Sequence, residues 1–232
     1  MPAAPLPPNE LVRLAALRDY AIVDTDPEAT FDDLAFVASA VCDAPIALVT
    51  FIDEDRQFLK ARIGVDFSET RRNEAFCAHA VAEDVPLLEV PDATFDPRFQ
   101  DNPFVTGDDG IRFYAGATIR AEGGEALGTV CVLDTKPHDL TDRQREVLLR
   151  LGRQATTMLA YRRVSRQLFD ALSEVKTLAQ LLPICSFCRR IRQDDDYWAD
   201  LNEYLRVHAD SQLSHGICPD CERTQLAQIT RG

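Results

Sequence analysis

Two cysteine pairs near the C-terminal end of the sequence have the residue type and the spacing for metal binding. They are Cys185-x-x-Cys188 and Cys218-x-x-Cys221, and 29 residues separate them. Each pair is a tight turn that directs two thiolates at one ion, and two such turns complete the tetrahedral shell of four sulfurs that zinc prefers. The spacing therefore predicts one structural zinc ion, held by all four cysteines.

Other uses of the same four cysteines stay open. Iron can occupy them, and the pairs can form disulfides that act as a redox switch. His215 precedes Cys218 by three residues and is a weaker candidate ligand, because four thiolates already satisfy a zinc ion. Between the pairs, residues 197–208 carry Trp198 and Leu201 at helical spacing, which predicts a short amphipathic helix.

Three further cysteines, Cys42, Cys77 and Cys131, lie singly in the first 140 residues. The total of seven is odd, which is typical of a reducing compartment rather than of a disulfide framework. The Pro/Ala-rich start lacks the basic region and apolar core of a secretory leader, and no stretch approaches the roughly 18 apolar residues that cross a bilayer. We therefore expect a cytoplasmic protein without a membrane span.

The charge distribution argues against a nucleic-acid partner. Residues 1–140 carry 11 Lys and Arg against 26 Asp and Glu, a net charge of −15 within a total of −13. Such a surface repels nucleic acid. In the tail, the arginines at 189, 190 and 192 are followed by three acids at 194–196, which cancel the basic patch.

The order of elements predicts an α+β fold. Helices are expected over about residues 9–20, capped by Asn9, and from near Thr30, capped by its hydroxyl, to Cys42. The inward positions of the first helix are expected to be Leu11, Leu14 and Leu17. Residues 65–111 are expected to be irregular, apart from a helical piece at 74–81 and one short strand. The predicted strands are 46–52, 56–63, 87–90, 112–120 and 127–134.

A long helix follows the last strand. Thr141 and Gln144 form a capping-box pair, and apolar residues at helical spacing continue, with a phase break at 158–161, until Pro183. A helix of about 40 residues is longer than one domain can cover. We therefore expect its second half to pair with another copy, as a coiled coil in a homodimer.

Several segments, taken in chain order, resemble one known family. The runs YAIVDTDPEATFDDL, FIDEDRQFLKARIG, AFCAHA, VPDATFDPRFQDNPFV, IRFYAGATI and LGTVCVLD, between about residues 8 and 160, are similar to a subgroup of GAF sensor domains. That subgroup is common at the front of bacterial signalling proteins, and the resemblance implies an antiparallel sheet flanked by helices. The tail runs LLPICSFCRRIRQDDDYW and SHGICPDC resemble a cysteine-rich appendage of bacterial GAF, PAS and receiver proteins.

The resemblance divides the chain into a sensor domain at 8–140, a connecting and dimerisation helix at 141–182 and a zinc-binding module at 183–224. It implies a ligand between one sheet face and the crossing at 65–111. In the strand at 112–120, Phe113 and its alternate residues suit packing on helices, whereas the face of Arg112 and Tyr114 suits a small anionic or polar ligand. The candidate ligand-binding residues are Arg112, Tyr114, Cys77, His79, Asp92 and Arg98.

The sequence therefore predicts a cytoplasmic signalling sensor with an unidentified small ligand, a signalling protein partner and no catalytic output domain. The alternative is a thiol-based redox enzyme or redox sensor that uses Cys77 and Cys131. Some GAF relatives reduce methionine sulfoxide with cysteines, and others attach a bilin to one. In a helix, Cys77 and His79 diverge by about 200°, so a second element must meet each of them.

Overall fold

The structure is a computed structural model that describes residues 2–107, 110–179, 191–194, 197–200 and 203. The chain divides into two compact units, and the boundary lies between Phe169 and Asp170. The first unit contains all but the last two strands. No helix in the described ranges is both long and apolar enough to cross a membrane.

The first unit is built on a six-stranded sheet in the order β3-β2-β1-β6-β5-β4, with every neighbouring pair antiparallel. The five strands predicted from the sequence are confirmed to within a residue at either end. The sixth, β3, has the sequence ETR, which lacks the apolar alternation that marks a strand. The strands are β1 Ile46–Ile52, β2 Arg56–Ile63, β3 Glu69–Arg71, β4 Leu87–Val90, β5 Phe113–Arg120 and β6 Ala126–Asp134.

Helices cover both faces of this sheet, as the α+β prediction requires. They are α1 Glu10–Tyr20, α2 Ala29–Cys42, α3 Phe76–Glu83 and α4 Asp142–Ala179. One core joins α1, α2 and α4 to the sheet face that carries Phe113, Ala115 and Ala117. A second core joins α3 and the crossing between β4 and β5 to the face that carries Tyr114. The alternation predicted for β5 is therefore confirmed.

Helix α1 starts as predicted, with Asn9 at its N-cap position, but the Asn9 side chain makes no capping hydrogen bond. Helix α2 starts one residue before Thr30, so Glu28 takes the N-cap position that was predicted for Thr30. Leu11 is 85% exposed, whereas Arg13 is buried and donates from Nη1 to the carbonyl oxygen of Ile52 at 2.6 Å. The buried face of α1 thus carries Arg13 together with Leu14 and Leu17, the last two as predicted, and Leu11 lies outside it.

Helix α4 begins as the sequence predicts. The backbone N–H of Thr141 donates to Oε1 of Gln144 at 2.8 Å, and the N–H of Gln144 donates to Oγ1 of Thr141 at 3.3 Å. Leu148 and Leu159 are buried, but Tyr161 is 75% exposed and Leu168 is 59% exposed. The helix thus leaves the core of the first unit close to the predicted phase break.

The second unit is described over a small part of its length. Strands β7 Ile191–Asp194 and β8 Tyr197–Ala199 pair antiparallel. The helix predicted for 197–208 is therefore wrong at its start, because Tyr and Trp favour strands and β7 supplies a partner for them. The zinc ligands predicted at Cys185, Cys188, Cys218 and Cys221 lie outside the described residues. Within the described ranges, no three His, Cys, Asp or Glu side chains form a group that could hold a metal ion.

Candidate functional site

A cavity of about 200 Å³ lies between the Tyr114 face of the sheet and the crossing. Most of its lining is apolar, because β1, β5 and β6 turn alternate residues toward it and α3 covers it from the opposite side. The main apolar lining residues are Leu48, Phe67, Phe76, Phe104, Tyr114 and Leu133. Gln57, Thr70, Glu74 and Cys77 are its polar lining residues. This is the location that the family resemblance implied for a ligand.

Two polar atoms at this cavity lack a hydrogen-bond partner within the described part of the chain. They are Oε1 of Gln57 and Oγ1 of Thr70, and both atoms are buried. The two residues face each other across the β2–β3 ladder, so one sheet edge presents both atoms together. Leaving a buried polar group unpaired costs about 1–3 kcal/mol. An occupant that hydrogen-bonds to these atoms would remove that cost.

Two aromatic rings mark the boundary of the cavity with solvent. Phe67 and Phe104 stack with centroids 6.1 Å apart and an interplanar angle of 24°. Both rings line the cavity, and both also line an open groove that runs along Arg56 and Arg71. Phe67 is 41% exposed and Phe104 is 36% exposed. Phe67 and Phe104 therefore lie where the partly open cavity meets the groove, beside Thr70 and Glu74, which also line both.

At the wall of the cavity, the thiols of Cys77 and Cys131 and the phenol of Tyr114 form a buried cluster. Sγ of Cys77 lies 3.6 Å from Sγ of Cys131, and the hydroxyl of Tyr114 donates to Sγ of Cys77 at 3.5 Å. Cys77 lies on α3 and Cys131 lies in the middle of β6. Cys131 is thus the second element that the sequence required to meet Cys77.

The local structure explains why these groups meet. Gly116 pairs with Cys131 across the β5–β6 ladder. A Cβ atom at Gly116 would lie 2.1 Å from the hydroxyl oxygen of Tyr114. Only glycine therefore leaves room for the Tyr114 ring to lie over position 116 of the same strand. The phenol then reaches Cys77.

The environment separates the acid–base properties of the two thiols. At Cys77, burial disfavours the thiolate, but hydrogen bonds from Cys131, the Thr129 and Thr50 hydroxyls and Tyr114 outweigh it and lower the pKa. At Cys131, burial and the neighbouring Cys77 raise the pKa well above the ordinary value. The pKa values of the two thiols are therefore shifted in opposite directions.

The other four predicted ligand residues make structural contacts. Arg112 donates to the carbonyl oxygens of Val105, Gly107 and Ile111 at 2.8, 3.1 and 3.3 Å, which holds the end of the crossing. It does not line the cavity. Asp92 accepts hydrogen bonds from the N–H and hydroxyl of Thr94 at 2.9 and 2.7 Å. A ligand-binding role for Arg112 and Asp92 stays a prediction.

His79 and Arg98 lie together on the far side of α3. Arg98 pairs with Asp96 at 2.6 Å and with Glu83 at 2.5 Å. The His79 ring packs edge-on against Phe99, with centroids 4.8 Å apart. Burial, followed by the charge of Arg98, lowers the pKa of His79. Neither residue lines the cavity, so their roles also stay predictions.

Gln57 and Thr70 were not predicted as site residues from the sequence. Polar residues in a strand ordinarily indicate its solvent-exposed face, and β3 itself carries no strand pattern. The only local signal was Leu59, an apolar residue two positions along the strand and therefore on the same face as Gln57.

Comparisons with known proteins agree with this architecture. The model of the family described as "GAF domain" matches residues 26–159. A cyclic di-GMP phosphodiesterase of Pseudomonas aeruginosa is 39% identical over 137 residues, which are 59% of this chain and 23% of that protein. The chain thus spans less than a quarter of the length of this curated relative.

Two solved structures illustrate the similarity in fold. A bacteriophytochrome of the photosynthetic bacterium R. palustris has a TM-score of 0.50 at 11% identity, over 74% of this chain and 42% of that one. The GAF domain of a phosphoenolpyruvate-protein phosphotransferase from Coxiella burnetii has a TM-score of 0.48 at 18% identity, over 68% of this chain and 98% of that one. At these identities the similarity concerns the fold alone.

Proposed function

This chain belongs to the GAF domain family, and we propose that it is a sensor that binds a small ligand in the cavity beneath α3. GAF domains are sensor and regulatory domains typical of signalling proteins. The observation that carries the proposal is the apolar cavity with two buried, unpaired polar atoms, Oε1 of Gln57 and Oγ1 of Thr70. An apolar pocket with a few convergent polar groups is the usual form of a small-molecule site.

The lining supports one chemical class of ligand. Phe67, Phe76, Phe104 and Tyr114 offer aromatic surface, and Gln57 offers an acceptor oxygen. These features favour a small, largely apolar molecule whose polar end donates a hydrogen bond. The Arg112 cation, which suggested an anion in the sequence, is held by backbone carbonyls away from the cavity.

Strand β5 provides a route from the ligand to the exit helix. Tyr114 lies on its cavity face, while Ala117 on its opposite face lies against Gly152 of α4, within 3.1 Å of where a Cβ would stand. The backbone N–H of Arg120 also donates to Oγ1 of Thr156 at 3.1 Å. A ligand that shifts β5 would therefore shift α4, and α4 would relay the change through a homodimer.

The remaining parts of the proposal rest on the sequence. The protein works in the cytoplasm, its tail binds one structural zinc ion through two CxxC pairs, and the tail passes the signal to a protein partner. In this proposal the chain is not itself an enzyme. Its similarity to a segment of a cyclic di-GMP phosphodiesterase supports a regulatory part within a signalling system.

Indole is a suitable probe of the cavity because it combines aromatic rings with a single N–H donor. Cavities of comparable size are known to bind aromatic molecules such as benzene. We expect indole to bind the full chain and raise its melting temperature. Gln57→Leu should weaken indole binding about tenfold, since a buried unpaired N–H costs about 1–3 kcal/mol.

Gln154→Leu is the matched control, because Gln154 is exposed on α4 and should leave indole affinity unchanged. Calorimetric titration measures all three proteins. Equal affinity for wild type and Gln57→Leu, or no binding to wild type, would contradict the proposed ligand class.

A further inference from the structure

The cysteine pair behind the cavity has a geometry that ligand sensing does not require. Sγ of Cys77 and Sγ of Cys131 are 3.6 Å apart, although 54 residues separate the two positions in sequence. Cys42, the other cysteine among the described residues, is the last residue of α2 and is buried in the opposite core. The described part of the chain thus holds two thiols in van der Waals contact and a third thiol that is isolated from them.

The cavity gives the two thiols unequal access to small molecules. Cys77 lines the cavity, whereas Cys131 does not. The space of about 200 Å³ is many times larger than a hydrogen peroxide molecule. A peroxide that enters past Phe67 and Phe104 therefore contacts Cys77 first. Cys131 lies outside the cavity lining and in contact with Cys77.

We propose that Cys77 and Cys131 form a reversible disulfide in response to hydrogen peroxide that enters the cavity. In the first step, Sγ of Cys77 attacks one peroxide oxygen, the O–O bond breaks, and a sulfenic acid and one water form. In the second step, Sγ of Cys131 attacks Sγ of Cys77, the S–O bond breaks and a second water leaves. Two electrons pass from the sulfurs to the peroxide, and both thiol protons end in water.

Hydrogen bonding around Cys77 suits the first step, since a thiolate is the nucleophile. Tyr114 donates to Sγ of Cys77, and this contact and the neighbouring hydroxyls lower the pKa of Cys77. Burial raises the pKa of Cys42 to about 11, so Cys42 stays a protonated thiol at neutral pH. The two steps thus have a preferred nucleophile and a distinct resolving thiol.

Closing the bond would change the cavity. A disulfide has an S–S distance of about 2.05 Å, so the sulfurs must approach each other by about 1.5 Å. Ala75, Phe76 and Cys77, at the start of α3, all line the cavity. Oxidation would therefore move part of the cavity wall, and ligand affinity would differ between the two redox states.

The test uses the full chain and hydrogen peroxide as the probe. After oxidation and alkylation of the remaining thiols, trypsin releases residues 73–98 and 121–143, each with a single cysteine of the pair. We expect the two peptides to be joined, with a mass about 2 Da below their sum, and to separate with dithiothreitol. Peroxide treatment that oxidises other cysteines while both of these stay free would overturn the proposal, as would oxidation of Cys77 without the cross-link.

Two variants test the route through the cavity. Phe67→Ala removes one ring of the stacked pair, and we expect the cross-link to form several-fold faster. Phe95→Ala is the matched control, because Phe95 is 84% exposed and does not line the cavity. Cys42→Ala should leave the yield of the cross-link unchanged. Equal rates for Phe67→Ala and wild type would contradict entry past Phe67.

Discussion

Gly116 positions the buried cluster through the side chain that it lacks. The ring of Tyr114, two residues earlier in the same strand, lies over Gly116 and its hydroxyl reaches Cys77. Both Tyr114 and Gly116 are buried. The same position in the sequence reads only as a small residue in a strand. Its importance at this scale comes from a contact of 2.1 Å that any Cβ would make with the phenol oxygen.

Gly116→Ala should destabilise the first unit, because the phenol or the strand must move to admit the methyl group. We expect a loss of about 1–3 kcal/mol in the free energy of unfolding, measured by urea denaturation. Gly107→Ala is the control, since a Cβ there meets no atom within 4 Å. A loss no larger than that of the control would show that the phenol adapts at no cost.

Glu10 forms a cluster of ion pairs with Arg13 and Arg72. Its carboxylate accepts from Arg13 at 2.7 and 2.8 Å and from Arg72 at 2.6 Å. Burial alone would raise its pKa, but these hydrogen bonds outweigh it and lower the pKa of Glu10 to about 2. A lowered carboxyl pKa stabilises the folded state above the unfolded pKa, and that stability is lost as the pH falls toward 2.

Glu10→Gln should therefore destabilise the protein at pH 6 by about 1 kcal/mol and flatten the fall in stability between pH 5 and 2. Denaturation at several pH values measures both effects. Glu146→Gln serves as the control, because the Glu146–Arg150 pair is exposed on α4. If the stability of Glu10→Gln falls between pH 5 and 2 as steeply as that of the wild type, other groups cause the pH dependence.

At the scale of elements, α4 has two different environments along one helix. Its first part packs on the sheet through Leu148, Ala155 and Leu159, all fully buried. Beyond that point Tyr161, Val164 and Leu168 are 75%, 55% and 59% exposed. Their spacing of three and four residues places them along one stripe, which is the pattern of a coiled-coil seam.

Leu168→Glu should disrupt the proposed homodimer, because it places a charge in the apolar stripe of each copy. We expect sedimentation equilibrium at micromolar concentration to change from dimer to monomer, while the circular dichroism of the first unit is retained. Leu11→Glu is the control, since Leu11 is 85% exposed on α1 and lies outside the stripe. A wild-type chain that is already monomeric would contradict the dimer.

At the scale of the whole molecule, the chain combines a sensor unit that has its own hydrophobic cores with a tail that is expected to depend on metal. Its described strands, β7 and β8, form a two-stranded sheet of at most four residues each. An isolated hairpin of this size is marginal in water. We expect a zinc ion bound by Cys185, Cys188, Cys218 and Cys221 to contribute to the stability of the tail.

We expect about one zinc ion per chain in anaerobically purified protein by elemental analysis. Cys218→Ser should lose the metal and unfold the tail while the first unit keeps its melting transition. Trp198, the only tryptophan, lies in β8, so its fluorescence reports on this region alone. Cys42→Ser is the control for the loss of a cysteine outside the tail. Removal of zinc by a chelator without a change in Trp198 emission would contradict a structural role.

Local patterns predicted most elements of the first unit because their causes are local. The alternation in β5 placed Phe113 and Tyr114 on opposite faces, since successive strand residues always point to opposite sides. The capping box at Thr141 and Gln144 needs only four consecutive residues. The predictions for Leu11 and for residues 197–199 were wrong because those depend on contacts with Ile52 and with strand β7.

The candidate site shows the same division. The sequence by itself predicted the family, five of the six strands and the covering helix, and it named Cys77, Tyr114 and Cys131 as candidate residues. Only the tertiary structure decided that the two thiols lie 3.6 Å apart and that Gln57 and Thr70 present unpaired atoms to a cavity. The physical reason is that periodicity specifies the direction of a side chain within its own element. Which group it meets depends on how α3 packs on β6 and how β3 pairs with β2, and those contacts join positions far apart in the chain.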